Sequence, residues 1–102
     1  MTRPFTSNEE PLRRQLAKEG LSAERWSNGP HAVYAAHEHP YGKILLVASG
    51  SVVFTLEDEG REVPMKAGDR LELPPGTVHS AVVGPEGVVC LEAHVDAGAW
   101  SA

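Results

Sequence analysis

The chain has 102 residues, the size of one ordinary domain and too short for two, and its 14 acidic against 9 basic residues leave a net charge of −5. That charge argues against binding to a nucleic-acid backbone or an anionic membrane, and 41% hydrophobic with 23% charged residues is a folded rather than a disordered composition. One cysteine excludes an internal disulfide or a CxxC zinc site and fits a reducing, cytoplasmic setting; the longest apolar run, Ile44 to Ala48, is far short of the roughly 20 residues of a membrane span, and the opening MTRPFTSNEEP has no apolar signal core. In chain order, residues 1–6 read as a loose tail. Ser7-Asn8-Glu9-Glu10-Pro11 predicts a helix start, with a capping residue, acids in the first turn and an early proline. Leu12 and Leu16 share one face of that helix, Arg13, Arg14 and Lys18 are expected in solvent, and Gly20 ends it. From Leu21 onward glycine and proline punctuate short segments, and strands are predicted near 22–26, 31–38, 43–48, 51–57, 61–65, 70–73, 77–83 and 88–95. Turns are expected at Ser49-Gly50, Glu57-Asp58-Glu59-Gly60, Gly68-Asp69, Pro74-Pro75-Gly76 and Gly84-Pro85-Glu86-Gly87. The pattern predicts one domain over 1–102: tail and helix over 1–20, an antiparallel sandwich or barrel over 21–96, and a C-terminal tail over 97–102.

Histidines carry the chemical signal. His37 and His39 alternate along a strand and so share one face, with Glu38 on the other. The stretch from Gly68 through Pro74 and Gly76 brings His79 out of a constrained turn at the start of another strand. These spacings resemble the two motifs of the cupins, G-x5-H-x-H-x(3–4)-E-x6-G and G-x5-P-x-G-x2-H-x3-N. The second matches at Gly68, Pro74, Gly76 and His79; the first matches at His37, His39 and Gly50. His31 stands in place of the first motif's opening glycine, Lys43 in place of its glutamate, and Val83 in place of the second motif's asparagine. The resemblance implies an all-β cupin jelly roll, a double-stranded β-helix, with one short N-terminal helix. It also implies a site in which His37, His39 and His79 hold a divalent transition metal, Fe, Mn, Ni, Cu or Zn. Neutral imidazoles suit all of these ions.

Lysine is cationic and offers a metal no lone pair unless it loses a proton, so the family's usual fourth ligand is not available at position 43. Two readings follow: a three-histidine site with open positions, as in cupins such as the cysteine dioxygenases that also lack the glutamate, or a metal-free pocket holding the ammonium. Lys43 solvated at the strand mouth is the plainer alternative. On the last strand, ordinary alternation buries Val89, Leu91, Ala93 and Val95 and exposes Cys90, Glu92 and His94; the functional reading instead turns Glu92 into the pocket opposite Lys43. A buried ammonium needs such an acid partner. Cys90 reads as a small core residue. His31 shares parity with His37 and is placed along the pocket, while Trp26, Tyr34 and Trp100 read as packing aromatics. The function expected is a small metal-binding cupin, a homodimer, that binds or transforms a small polar molecule by chemistry of dioxygenase or isomerase type, without nucleic acid or membrane. The alternative is a non-catalytic, metal-free ligand-binding or structural cupin.

Overall fold

Helix α1 spans Glu9–Lys18 in the computed structural model, which describes residues 9–100. The expected cap at Ser7 or Asn8 and the 1–6 tail lie outside the described residues. At the other end Gly20 takes φ of +80°, and the N–H groups of Gly20 and Leu21 donate to the carbonyls of Ala17 and Leu16. This closure satisfies last-turn carbonyls that the helix itself leaves open. Leu16 is fully buried and Leu12 partly so. Arg14 and Lys18 are exposed as expected, but Arg13 is half-buried and donates to the Ala23 carbonyl at 3.3 Å.

Among the described residues six strands follow where eight were expected: β1 (Glu24–Asn28), β2 (Val33–His37), β3 (Gly42–Leu56), β4 (Arg61–Lys66), β5 (Arg70–Leu73) and β6 (His79–Val95). The difference arises because Ser49-Gly50 and Gly84–Gly87 are not turns. They are irregularities inside two long strands. Ala48 is an extra residue between the pairs Val47↔Cys90 and Ser49↔Val89, and residues 84–87 face Ser51 alone between Gly50↔Val88 and Val52↔Val83. Gly50 and Gly87 both take positive φ there. Glycine supplies that backbone conformation to a bulge as readily as to a turn.

All pairing is antiparallel, in the order β1-β6-β3-β4, with β2 on β6 and β5 on β3. Each long strand serves two layers. One layer joins β1, the C-terminal part of β6, the N-terminal part of β3, and β5; the other joins β2, the remaining parts of β6 and β3, and β4. Leu45, Val47, Val52, Phe54, Ala81, Val83 and Cys90 meet between the layers. On the outer side of the first layer, Ile44, Leu46, Leu91 and Ala93 pack under Leu16 of α1. The apolar run Ile44–Ala48 is therefore buried on both faces, which is why it reads as continuous rather than alternating. After β6 a 3-10 turn over Ala97–Ala99 leads to Trp100, whose ring lies against Gly42 so closely that no β-carbon fits there.

Candidate functional site: a histidine cluster and its cavity

Two turns and one strand pair bring the three motif histidines together. His37 ends β2 and lies directly across from His79 at the start of β6. The turn before β6 is fixed by Gly76 at φ +79° and by the Thr77 hydroxyl, which donates to the Pro74 carbonyl at 2.7 Å. The Gly76 N–H donates to the His39 carbonyl at 2.8 Å, tying the second motif to the first. Ring centroids lie 4.3 Å apart for His37 and His79, 4.8 Å for His37 and His39, and 5.7 Å for His39 and His79. One nitrogen from each falls within 4.8 Å of the others.

Hydrogen bonds fix which nitrogens remain available. His37 Nδ1 lies 2.8 Å from the Ala35 carbonyl, and His79 Nδ1 lies 2.9 Å from the Thr77 carbonyl. A carbonyl only accepts, so both Nδ1 atoms carry a proton, and Nε2 is the ring nitrogen that each can offer to a metal. His39 Nε2 is buried with no hydrogen-bond partner among the described residues. Burial, and then the nearby Lys43 charge, hold the His39 imidazolium below the usual histidine range. Burial also lowers His79, against the opposing Thr77 bond and with further help from His37 and Lys43. The cluster is thus three convergent imidazoles, two of them made harder to protonate by burial and one with a nitrogen orphaned among the described residues. This donor set fits a divalent first-row ion.

Beside the cluster is a cavity of about 280 Å³. Lys43 and Glu92 face each other in it, with Lys43 Nζ 3.5 Å from Glu92 Oε1. Glu92 also accepts from Trp26 Nε1 at 2.7 Å and meets His94 Nε2 at 2.8 Å. Burial alone would raise the Glu92 carboxyl, but the bond from His94, the Lys43 charge and the bond from Trp26 outweigh it and hold it below the usual value. The last strand departs from ordinary alternation: Leu91 and Ala93 are buried under the helix as it expects, but Cys90 and Glu92, which it would expose, are buried between the layers. His94 is exposed, stacked on Tyr41 at 4.3 Å, which in turn stacks on His39 at 5.0 Å. Cys90 is wholly inaccessible, and burial pushes its thiol up to about 12.

The bulge in β2 bears on where two residues sit. β2 shifts register between Tyr34 and His37, so parity counted along the strand does not carry across it. His31 is consequently not a cavity residue: it is exposed in the turn before β2, at φ +65°, with its N–H donating to the carbonyls of Val83 and Gly84. It is the only described non-glycine residue with positive φ, which explains why the family motif has glycine there. Tyr34, counted as packing, lines the cavity instead, together with Trp26 and Phe54. Trp26 pairs with Cys90 across β1 and β6, so the inward face of β6 would have pointed to it. Burial and the neighbouring Cys90 and Glu92 raise the Tyr34 hydroxyl above its ordinary value. Trp100 is a packing aromatic, as expected.

A family model for the cupin domain matches residues 25–94. Among solved structures, an uncharacterized conserved protein with a double-stranded β-helix domain from Klebsiella pneumoniae is 29% identical, covering 78% of this chain and 70% of that one, at a TM-score of 0.64. KdgF from a Halomonas species is 27% identical over 74% of this chain and 68% of its own, at 0.63. The polyketide cyclase RemF from Streptomyces resistomycificus is 24% identical at 0.64, and the matched part of this chain, 72% of it, spans 54% of the cyclase. No curated protein matches the chain.

Proposed function

From the premise that this chain belongs to the cupin domain family, we propose that it binds one divalent first-row transition ion (Fe, Mn, Ni, Cu or Zn) through His37, His39 and His79 and receives a small polar molecule in the adjoining cavity. The buried, partnerless Nε2 of His39 carries this reading, because a buried lone pair without a donor is costly unless something binds it. When bound, the ion supplies Lewis acidity at coordination positions the protein leaves open. The Ala35 and Thr77 carbonyls hold two imidazoles in the coordinating tautomer. Glu92, anchored by Trp26, steadies the Lys43 ammonium at the edge of the cluster. Trp26, Tyr34 and Phe54 give the cavity an aromatic wall that limits water.

We read the chain further as a cytoplasmic homodimer. Val33 and Val82 pair directly across β2 and β6 yet remain 72% and 49% exposed, a small apolar patch on the sheet surface suited to a second copy. No helix among the described residues is long and apolar enough to cross a membrane. The test of the metal site is elemental analysis after loading, on wild type and on His37→Ala, His39→Ala and His79→Ala. About one ion per chain in wild type and a sharp loss in each variant is expected. Full occupancy in all three variants, or none in wild type, favours the metal-free pocket with Lys43 as its charge.

A further inference from the structure

The reaction class is open, but the charges facing the cavity narrow what it accepts. Coordinating imidazoles are uncharged. That leaves Lys43, Glu92 and the ion as the charges of the cavity wall. A glutamate at position 43, where the family motif has one, would neutralise the ion together with Glu92; a lysine there reverses the sign and leaves a net positive wall. Glu92 does not use up the lysine. Its oxygens already hold Trp26 at 2.7 Å and His94 at 2.8 Å, whereas Lys43 stands off at 3.5 Å, beyond an ordinary N–H···O bond. Lys43 Nζ thus keeps donors free to turn toward a guest beside the histidine cluster.

The guest's other end is set by shape. Trp26, Tyr34 and Phe54 form flat apolar walls, and about 280 Å³ lies just below the roughly 300–1,000 Å³ usual for ligand sites. Among the described residues the cavity is lined by no arginine and by a single cationic side chain, a poor match to a doubly charged phosphate and a good one to a single carboxylate. Resting on the three-histidine reading above, we propose that the cavity binds a small monocarboxylate with a flat apolar remainder, its carboxylate held by Lys43 next to the metal and its apolar end against Trp26 and Phe54.

Calorimetric titration of zinc-loaded full chain with benzoate, with its uncharged isostere benzamide and with inorganic phosphate tests this, zinc content being measured on the same samples. Benzoate is expected to bind at least about tenfold more tightly than benzamide or phosphate. Lys43→Met should retain zinc while benzoate weakens roughly ten- to hundredfold and benzamide stays unchanged, the usual effect of losing a charged donor. Where Lys43→Met fails to fold because Glu92 is left alone, Lys43→Met/Glu92→Gln removes the pair together and is read the same way. Lys43→Glu should keep zinc and abolish the benzoate preference. Zinc-loaded wild type that binds benzoate no better than benzamide, or phosphate better than benzoate, overturns the carboxylate proposal and leaves the metal site standing. A wild type that takes up no zinc or other first-row ion overturns the metal reading itself.

Discussion

Glu92 is the residue whose loss the structure makes most costly. In Glu92→Leu the Lys43 ammonium loses its counter-ion, and the Trp26 indole N–H and the exposed His94 ring lose their acceptor. Removing one partner of a buried ion pair costs about 3–5 kcal/mol. The side chains of Lys43 and Glu92 are 14% and 11% exposed and border a cavity, so the lower end of that range applies. The stranded indole adds about 1 kcal/mol, and burial of the leucine returns about 1–2 kcal/mol. The net expectation is a loss of about 2–3 kcal/mol, or a Tm lower by roughly 8–24 °C for a domain of this size. Glu92→Gln keeps an acceptor for Trp26 and should cost only about half as much. Lys43→Met/Glu92→Leu, which replaces the pair by apolar groups, should return to within about 1 kcal/mol of wild type. The assay is urea and thermal unfolding of metal-free protein, so that ion binding does not enter the balance. A Glu92→Leu loss under 1 kcal/mol, or a double variant no more stable than the single, would refute the reasoning.

Gly50→Ala should cost about 3 kcal/mol or more in urea unfolding, because Gly50 sits at φ +75° and an added β-carbon there runs into the Gly87 carbonyl, a backbone atom with no room to yield. A loss below 1 kcal/mol would show that the two long strands shift easily at their bulge. His31→Gly should raise stability by up to about 1 kcal/mol and His31→Val should lower it, since the turn holds φ +65° at that position; a destabilised glycine variant would mean that the imidazole has a role the turn geometry does not explain. In metal-free protein, burial keeps His39 and His79 harder to protonate than in the unfolded chain, where histidine titrates near 6.5. The unfolded state then binds more protons, so stability is full above that value and falls as pH drops through and below 6.5. Urea midpoints that stay flat or rise between pH 7.5 and 5.5 would contradict it.

The sequence was most legible where one residue type has one structural use. His37, His39 and His79 at their spacings, with Gly76 and Pro74 before the last, pointed to a common site, and the structure clusters these side chains. It was least legible where glycine has two uses. Gly50 and the Gly84–Gly87 stretch look like turn residues by composition, yet the chain continues through both as bulged strand, because positive φ and a missing side chain serve either purpose. The bulge in β2 carries no glycine at all: Ala35 and Ala36 occupy it, and the pairs on either side of it set the register. Parity counted through those residues therefore placed His31 along the cavity, while Tyr34 was read by residue type as a packing aromatic. Glu92 was ambiguous because its strand is buried on both faces, and alternation distinguishes faces only when one of them is wet.

The pairing also sets an order of assembly. β1 and β2 are made early, but among the described residues the only strand either pairs with is β6, the last one described. Until residues 79–95 exist, the middle of the chain has its own partners, since β3 takes β4 through the local hairpin at 57–60 and β5 soon after. The first two strands must wait with their edges bare, the condition in which a growing chain is most prone to stick to others. Both are five residues long, and β1 reads Glu-Arg-Trp-Ser-Asn, short and mostly polar. β1 therefore offers little for a stray strand to hold while it waits, whereas β2, Val-Tyr-Ala-Ala-His, has only its shortness to protect it. The histidine cluster shares this timing: it closes only when the final strand threads between β2 and β3 and sets His79 beside His37.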